Sequence, residues 1–300
     1  MSLTPMNGLE RSPAIEGPES AGPGSPELRG ERARRIPNLG HTLIFAGFAG
    51  MLFLLLEFTL VMLGLSPVKQ SAGAVTVQHP MLQIGVLAAT YAGTLLAAWL
   101  FYPLIWRASF LNGVRWHWAT ARAQAWRLVG LGLTLGVMMQ IVTYFITPPK
   151  TLPIDQFFLT PAAAWLITVF GTLGAPVFEE ICFRGFLLPA FAIAYDWLGL
   201  QRTEEAREHW QATTTLSPVS LIFSAVLTSA LFAGMHASQV AHAWVVLLVL
   251  FSISLVLTFV RVKTESVAAS AMVHAAYNGF IFLTAIIGTG GYRHLEKMTR

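Results

Sequence analysis

Residues 162–195 read AAAWLITVFGTLGAPVFEEICFRGFLLPAFAIAY. As a helix this run of roughly 34 residues would reach about 51 Å, well beyond the hydrocarbon core of about 30 Å. Gly171, Gly174 and Pro176 supply a kink. Either one long tilted helix or a short half-helix ending near Pro176, followed by a second helix, fits the sequence. Only Glu179, Glu180 and Arg184 interrupt its second half. Three ionisable groups in an otherwise apolar membrane segment need a physical reason, because a charge at bilayer depth costs on the order of 3 kcal/mol even on the lenient scale.

The same apolar character extends in both directions. Upstream runs cover about His41 to Leu65, Met81 to Ile105 and Leu128 to Thr147; downstream runs cover about Pro218 to Ala237, His242 to Val260 and Ser266 to Gly288. Each is long enough to span a bilayer. The fold expected is an all-α, polytopic transmembrane helix bundle with seven spans, or eight if the long run counts twice. Composition agrees: mean hydropathy is +0.61 and 11% of residues are charged, under half the share of a soluble domain. Cys182 is the single cysteine, so no intramolecular disulfide staples the chain.

The expected organisation is a disordered tail at 1–38, a transmembrane domain at 39–290 and a short tail at 291–300. Arg29, Arg32, Arg34 and Arg35 stand just before the first span, and Arg107, Arg115, Arg122 and Arg127 alternate with tryptophans between the second and third. By the positive-inside rule both regions, and hence the N-terminus, are expected to be cytoplasmic. The C-terminus lies outside with seven spans and inside with eight. The basic residues mark topology and form no nucleic-acid-binding stripe.

Glu180 and Arg184, four apart on a helix, share a face and can pair, whereas Glu179 is turned away by about 100°. Glu179 is therefore the freer carboxylate and the candidate general base. His236 and His274 lie in later apolar runs, with Asn278 one turn after His274 on the same face. Glu179 and His236 are expected at similar depth across the pair joined by the 196–216 loop. The alternative is a structural set: an ion cluster fixing register, and interhelical hydrogen bonds from the histidines and asparagine. The chain holds no HExxH, no GxSxG and no nucleotide-binding glycine loop.

Glu179-Glu180-x-x-x-Arg184, then Phe232-x-x-x-His236, then His274-x-x-x-Asn278, in that order on separate apolar helices, resembles the CPBP family of intramembrane proteases. That family includes type II CAAX prenyl endopeptidases and relatives proposed to process, or give immunity to, bacteriocins. The resemblance covers about 160–288. It implies that Glu179 is catalytic, that Glu180 and Arg184 complete the first motif, and that His236, His274 and Asn278 make the others. Metal-dependent and metal-free mechanisms have both been described for the family. A Zn²⁺, if used, would take Glu179, His236 and His274 as ligands. The expected reaction is hydrolysis of a peptide bond in a peptide or membrane-protein substrate, with Glu179 and His236 activating water and His274 and Asn278 binding the oxyanion. A non-catalytic scaffold or immunity protein and a proton-coupled transporter are the competing expectations.

Overall fold

The computed structural model describes residues 34–65, 68–71, 74–77, 79–145 and 153–297. Most of the expected N-terminal tail, and the last residues of the C-terminal one, lie outside them. The chain forms helices α1 (Leu39–Met62), α2 (Pro80–Trp106), α3 (Phe110–Gly113), α4 (Trp118–Ala123) and α5 (Ala125–Phe145). There follow α6 (Pro161–Val169), α7 (Ala175–Glu180), α8 (Leu188–Gly199), α9 (Glu204–Ala212), α10 (Pro218–Met235), α11 (Trp244–Thr264) and α12 (Val267–Gly288). Among the described residues seven helical segments are long and apolar enough to cross a membrane, and the fourth runs unbroken from Pro161 to Gly199. This is a multi-pass membrane protein, and the long run is one span.

A feature not expected from sequence is a small antiparallel hairpin between α1 and α2, β1 (Val68–Ser71) with β2 (Ala74–Val77), in register Val68 to Val77.

The fourth span is built from α6, α7 and α8 joined by two π-helical turns, Phe170–Gly174 and Ile181–Leu187. In each case a proline follows as the second residue of the next α-helical segment, Pro176 in α7 and Pro189 in α8. A proline has no N–H to give and crowds the preceding turn. Widening that turn to the i→i−5 pattern keeps the helix continuous. The amide of Ala175 accordingly donates to Phe170 O, and that of Leu188 to Phe183 O. Such widened turns are frequent at functional sites, and here the second one carries Arg184.

Two packing devices hold this span. On one side Phe186, fully buried, meets the rings of Phe45, Tyr102, Trp106 and Phe110. Tyr91 stacks on Phe178 with ring centroids 3.8 Å apart. On the other side α12 packs tightly on α5. A Cβ on Gly132 would lie 2.4 Å from the Val273 carbonyl oxygen, and one on Gly136 would lie 2.6 Å from Phe280. Gly132 and Gly136 form a GxxxG face of the kind that lets membrane helices touch backbone to backbone. This contact sets the position of α12, which carries His274 and Asn278.

Candidate active site

At the middle of the fourth span the Glu180 and Arg184 side chains are completely buried, with Arg184 Nη1 donating to Glu180 Oε1 at 2.7 Å. The pairing read from the i,i+4 spacing is present. Burial of two charges requires that their remaining hydrogen-bonding capacity be met. Arg184 meets it on α11: Nη2 donates to Ser254 O at 2.8 Å and to Ser254 Oγ at 2.6 Å, and Nε donates to Thr258 Oγ1 at 3.4 Å. Ser254 and Thr258 were missed at the level of sequence. Their signal is a pair of hydroxyl residues four apart in an apolar helix, on one face.

His274 from α12 closes the cluster. Its Nδ1 lies 2.9 Å from Glu180 Oε1 and its Nε2 lies 3.8 Å from Glu179 Oε2. A carboxylate paired with a guanidinium can only accept, so Nδ1 carries the proton and donates to Glu180. In the neutral ring Nε2 is then the lone-pair nitrogen, and it faces Glu179. The Glu179 side chain keeps 18% of its surface exposed, against none for Glu180. The two adjacent glutamates therefore have different environments: one sealed, with Oε1 taking both Arg184 and His274, and one partly open beside an imidazole.

His236 is placed differently from the expectation. It caps the C-terminus of α10 instead of sitting inside a helix, and its Nδ1 donates to Phe232 O at 2.8 Å. Among the described residues no hydrogen bond or ion pair joins it to Glu179 or His274. The link is Phe232, 2% exposed, whose ring centroid lies 4.7 Å from His236 and 5.8 Å from His274. The Arg184 guanidinium lies 5.1 Å from the same ring centroid. Phe232 is thus the plate on which three candidate residues meet, a role beyond its spacing in the second motif.

Asn278 donates from Nδ2 to Gly171 O at 2.7 Å. The widened turn explains why that oxygen needs a partner. Ala175, its ordinary donor, is engaged with Phe170 O, and the next residue in the i→i−5 pattern is Pro176, which has no N–H. One amide hydrogen of Asn278 is therefore committed to bracing the turn, leaving the second free. Cys182 packs with the aromatic cluster around Phe178 and Phe186.

A metal would need about three protein ligands around one point. Among the described residues no three His, Cys, Asp or Glu side chains are grouped to hold one. Among the described residues the set Glu179, His236 and His274 is not assembled as a ligand triad. The donor arrangement does not fit the zinc expectation.

Residues 161–280 match the family of type II CAAX prenyl endopeptidases, Rce1-like. The match supports placing this segment in the CPBP/CAAX protease family. The Rce1-like domain runs from the start of α6 through most of α12 and includes all six candidate residues. Helices α1, α2 and α5, which clamp it from both sides, lie outside the match. No curated protein and no solved structure matched the chain. At the family level the match supports a CAAX-type intramembrane protease.

Proposed function

We propose that the chain is an intramembrane endopeptidase that hydrolyses a peptide bond with a water activated by Glu179. The observation that carries this reading is the unequal treatment of the two adjacent glutamates. Glu180 is locked by Arg184 and His274, while Glu179 alone is partly exposed with His274 Nε2 at 3.8 Å. A purely structural cluster would gain nothing from an open carboxylate.

In this mechanism Glu179 takes a proton from water, and the hydroxide oxygen bonds to the scissile carbonyl carbon. His274, oriented by Glu180, holds the water's other side through Nε2. The oxygen that becomes anionic takes a hydrogen bond from the free amide hydrogen of Asn278. Collapse of the tetrahedral species breaks the C–N bond, and the proton held on Glu179 passes to the leaving amine. His236, with Nδ1 fixed on Phe232 O, offers Nε2 as a relay for that proton. No step is routed through a metal, so cleavage should survive exhaustive treatment of the purified chain with a chelator. Loss of cleavage, restored by Zn²⁺ alone, would refute that.

The distribution of basic residues supports a cytoplasmic N-terminus. Arg34, Arg35, Arg115 and Arg261 cluster on one face of the bundle, and the positive-inside rule assigns that face to the cytoplasm. The substrate in this reading is a peptide or membrane-protein segment.

The central test is Glu179→Gln, which keeps size and hydrogen bonding but removes the base. Cleavage should fall to background while the melting temperature of the purified protein stays within a few degrees of wild type. Near-normal cleavage by that variant would sink the assignment.

A further inference from the structure

Separate from the site, by the ends of α2 and α11 and the first turns of α8, lies a cavity of about 570 Å³. None of the six candidate residues lines it. Its charged wall consists of Arg34, Arg35, Arg115 and Arg261, with Glu265 the one carboxylate among the described lining residues. The lining also includes apolar side chains, Leu188, Pro189 and Ile193 of α8 and Leu221 of α10.

Four guanidiniums facing one carboxylate leave a strong positive excess, and the structure holds the arginines in place despite their repulsion. Arg34 donates to Trp106 O at 3.3 Å, and Arg35 donates to Trp210 O while its guanidinium lies 3.5 Å from the Trp210 ring centroid. Arg115 pairs with Glu265 at 3.3 Å, with both side chains at least half exposed. Such an exposed pair is easily exchanged for another anion. Asp196, whose charge acts on Arg35, is already engaged by Ser217 and Ser220. Arg261 is only 7% exposed, yet its Nε has no hydrogen-bond partner among the described residues, and the Nε of Arg35 is in the same position. A buried guanidinium nitrogen without an acceptor is costly unless a ligand supplies one.

Among the described lining residues every cationic side chain is an arginine. The planar guanidinium fork matches a phosphate's oxygens two at a time, which a lysine ammonium does not. Apolar side chains in the same lining as basic ones, at the level where membrane helices end, fit an anion that carries an acyl tail.

We propose that this cavity binds the phosphate of an anionic phospholipid, its headgroup among Arg35, Arg115 and Arg261 and its first acyl carbons along Leu188 and Ile193. The site stands independently of the protease reading. Because Leu188 and Pro189 belong to the span that carries Glu179, an occupied site would brace that span just after its second widened turn.

The test uses the full-length chain purified in a neutral detergent. Retained lipid is read by native mass spectrometry, and melting temperature is measured with added phosphatidylglycerol, phosphatidylcholine or inorganic phosphate. Phosphatidylglycerol should be retained at least tenfold better than phosphatidylcholine, whose ammonium is repelled, and should raise the melting temperature. Millimolar inorganic phosphate should give no comparable rise. Arg261→Gln should abolish the preference. Since that residue lies in a span and its loss can impair folding, Arg35→Gln with Arg115→Gln, both outside the spans, is the second variant. It should retain phosphatidylglycerol at least tenfold less well while still melting cooperatively. Equal retention of the two lipids, a rise produced in full by phosphate alone, or undiminished retention by the double variant would each overturn the proposal.

Discussion

Removing the Arg184 guanidinium would strand Glu180 as a carboxylate with no exposed surface and only His274 to share its charge. Breaking a buried pair from one side typically costs about 3–5 kcal/mol, because the surviving charge is left unpaired. Arg184→Ala should therefore lower the stability of the purified protein by about that amount, far more than Glu179→Gln. Glu180→Gln combined with Arg184→Gln should recover part of the loss, since neither charge is then buried alone. No recovery in unfolding experiments on the double variant would mean that the attraction between the two is not what holds them. At the same scale the structure redefines Asn278. Its contact with Gly171 O predicts a measurable loss of stability in Asn278→Ala, on the order of 1 kcal/mol for an uncapped carbonyl. A hundredfold or greater fall in turnover on the same preparation would add the oxyanion role. Lowered stability with unchanged turnover would leave Asn278 a brace only.

The π-helical turn before Pro176 can be tested as an element. Pro176→Ala restores an N–H able to reach Gly171 O, so the carbonyl would no longer depend on Asn278. The cost of Asn278→Ala should shrink in the Pro176→Ala background, a coupling of about 0.5 kcal/mol or more in a double-mutant cycle. Strict additivity would show that the asparagine does not replace the missing amide. The contact of α5 with α12 makes a second prediction. Gly132→Ala puts a methyl where the Val273 carbonyl oxygen stands, while the same change at Gly130 meets nothing within 4 Å. Gly132→Ala should cost about 1–3 kcal/mol as overpacking and lower cleavage with it, since it displaces the helix bearing His274. Gly130→Ala should leave both unchanged. Equal effects at the two positions would discount the close approach.

Across the whole molecule, the spans outside the Rce1-like domain act as its scaffold. Phe186 within the domain is enclosed by Phe45 of α1, Tyr102 and Trp106 of α2, and Phe110 of α3. Phe186→Ala should thus cost about 3–5 kcal/mol by opening a cavity between the domain and its first two spans. A loss under 1 kcal/mol in reversible unfolding would mean that those helices are lipid-separated neighbours. Many large apolar side chains of α1 are exposed in the bundle, Leu43 at 71% and Leu54 at 66% among them. They face the solvent that a membrane supplies, which is why α1 can be so apolar and yet so little buried by protein.

The sequence by itself determined what depends on transfer out of water and on one-dimensional spacing. It specified seven apolar runs, the rarity of charge within them, and the pairing of Glu180 with Arg184 across one helical turn. The freer standing of Glu179 was also legible, because it follows from the rotation between adjacent residues on a helix. Spacing within a helix carries no information about which face meets which neighbour. Only the tertiary structure therefore decided that His274 bridges the two glutamates, that Ser254 and Thr258 complete Arg184, and that His236 ends its helix against Phe232. The continuity of the 161–199 span was likewise open in sequence. Glycines and prolines announce a break, yet whether the backbone parts or widens depends on a distant donor for Gly171 O, and Asn278, more than a hundred residues further along the chain, supplies it.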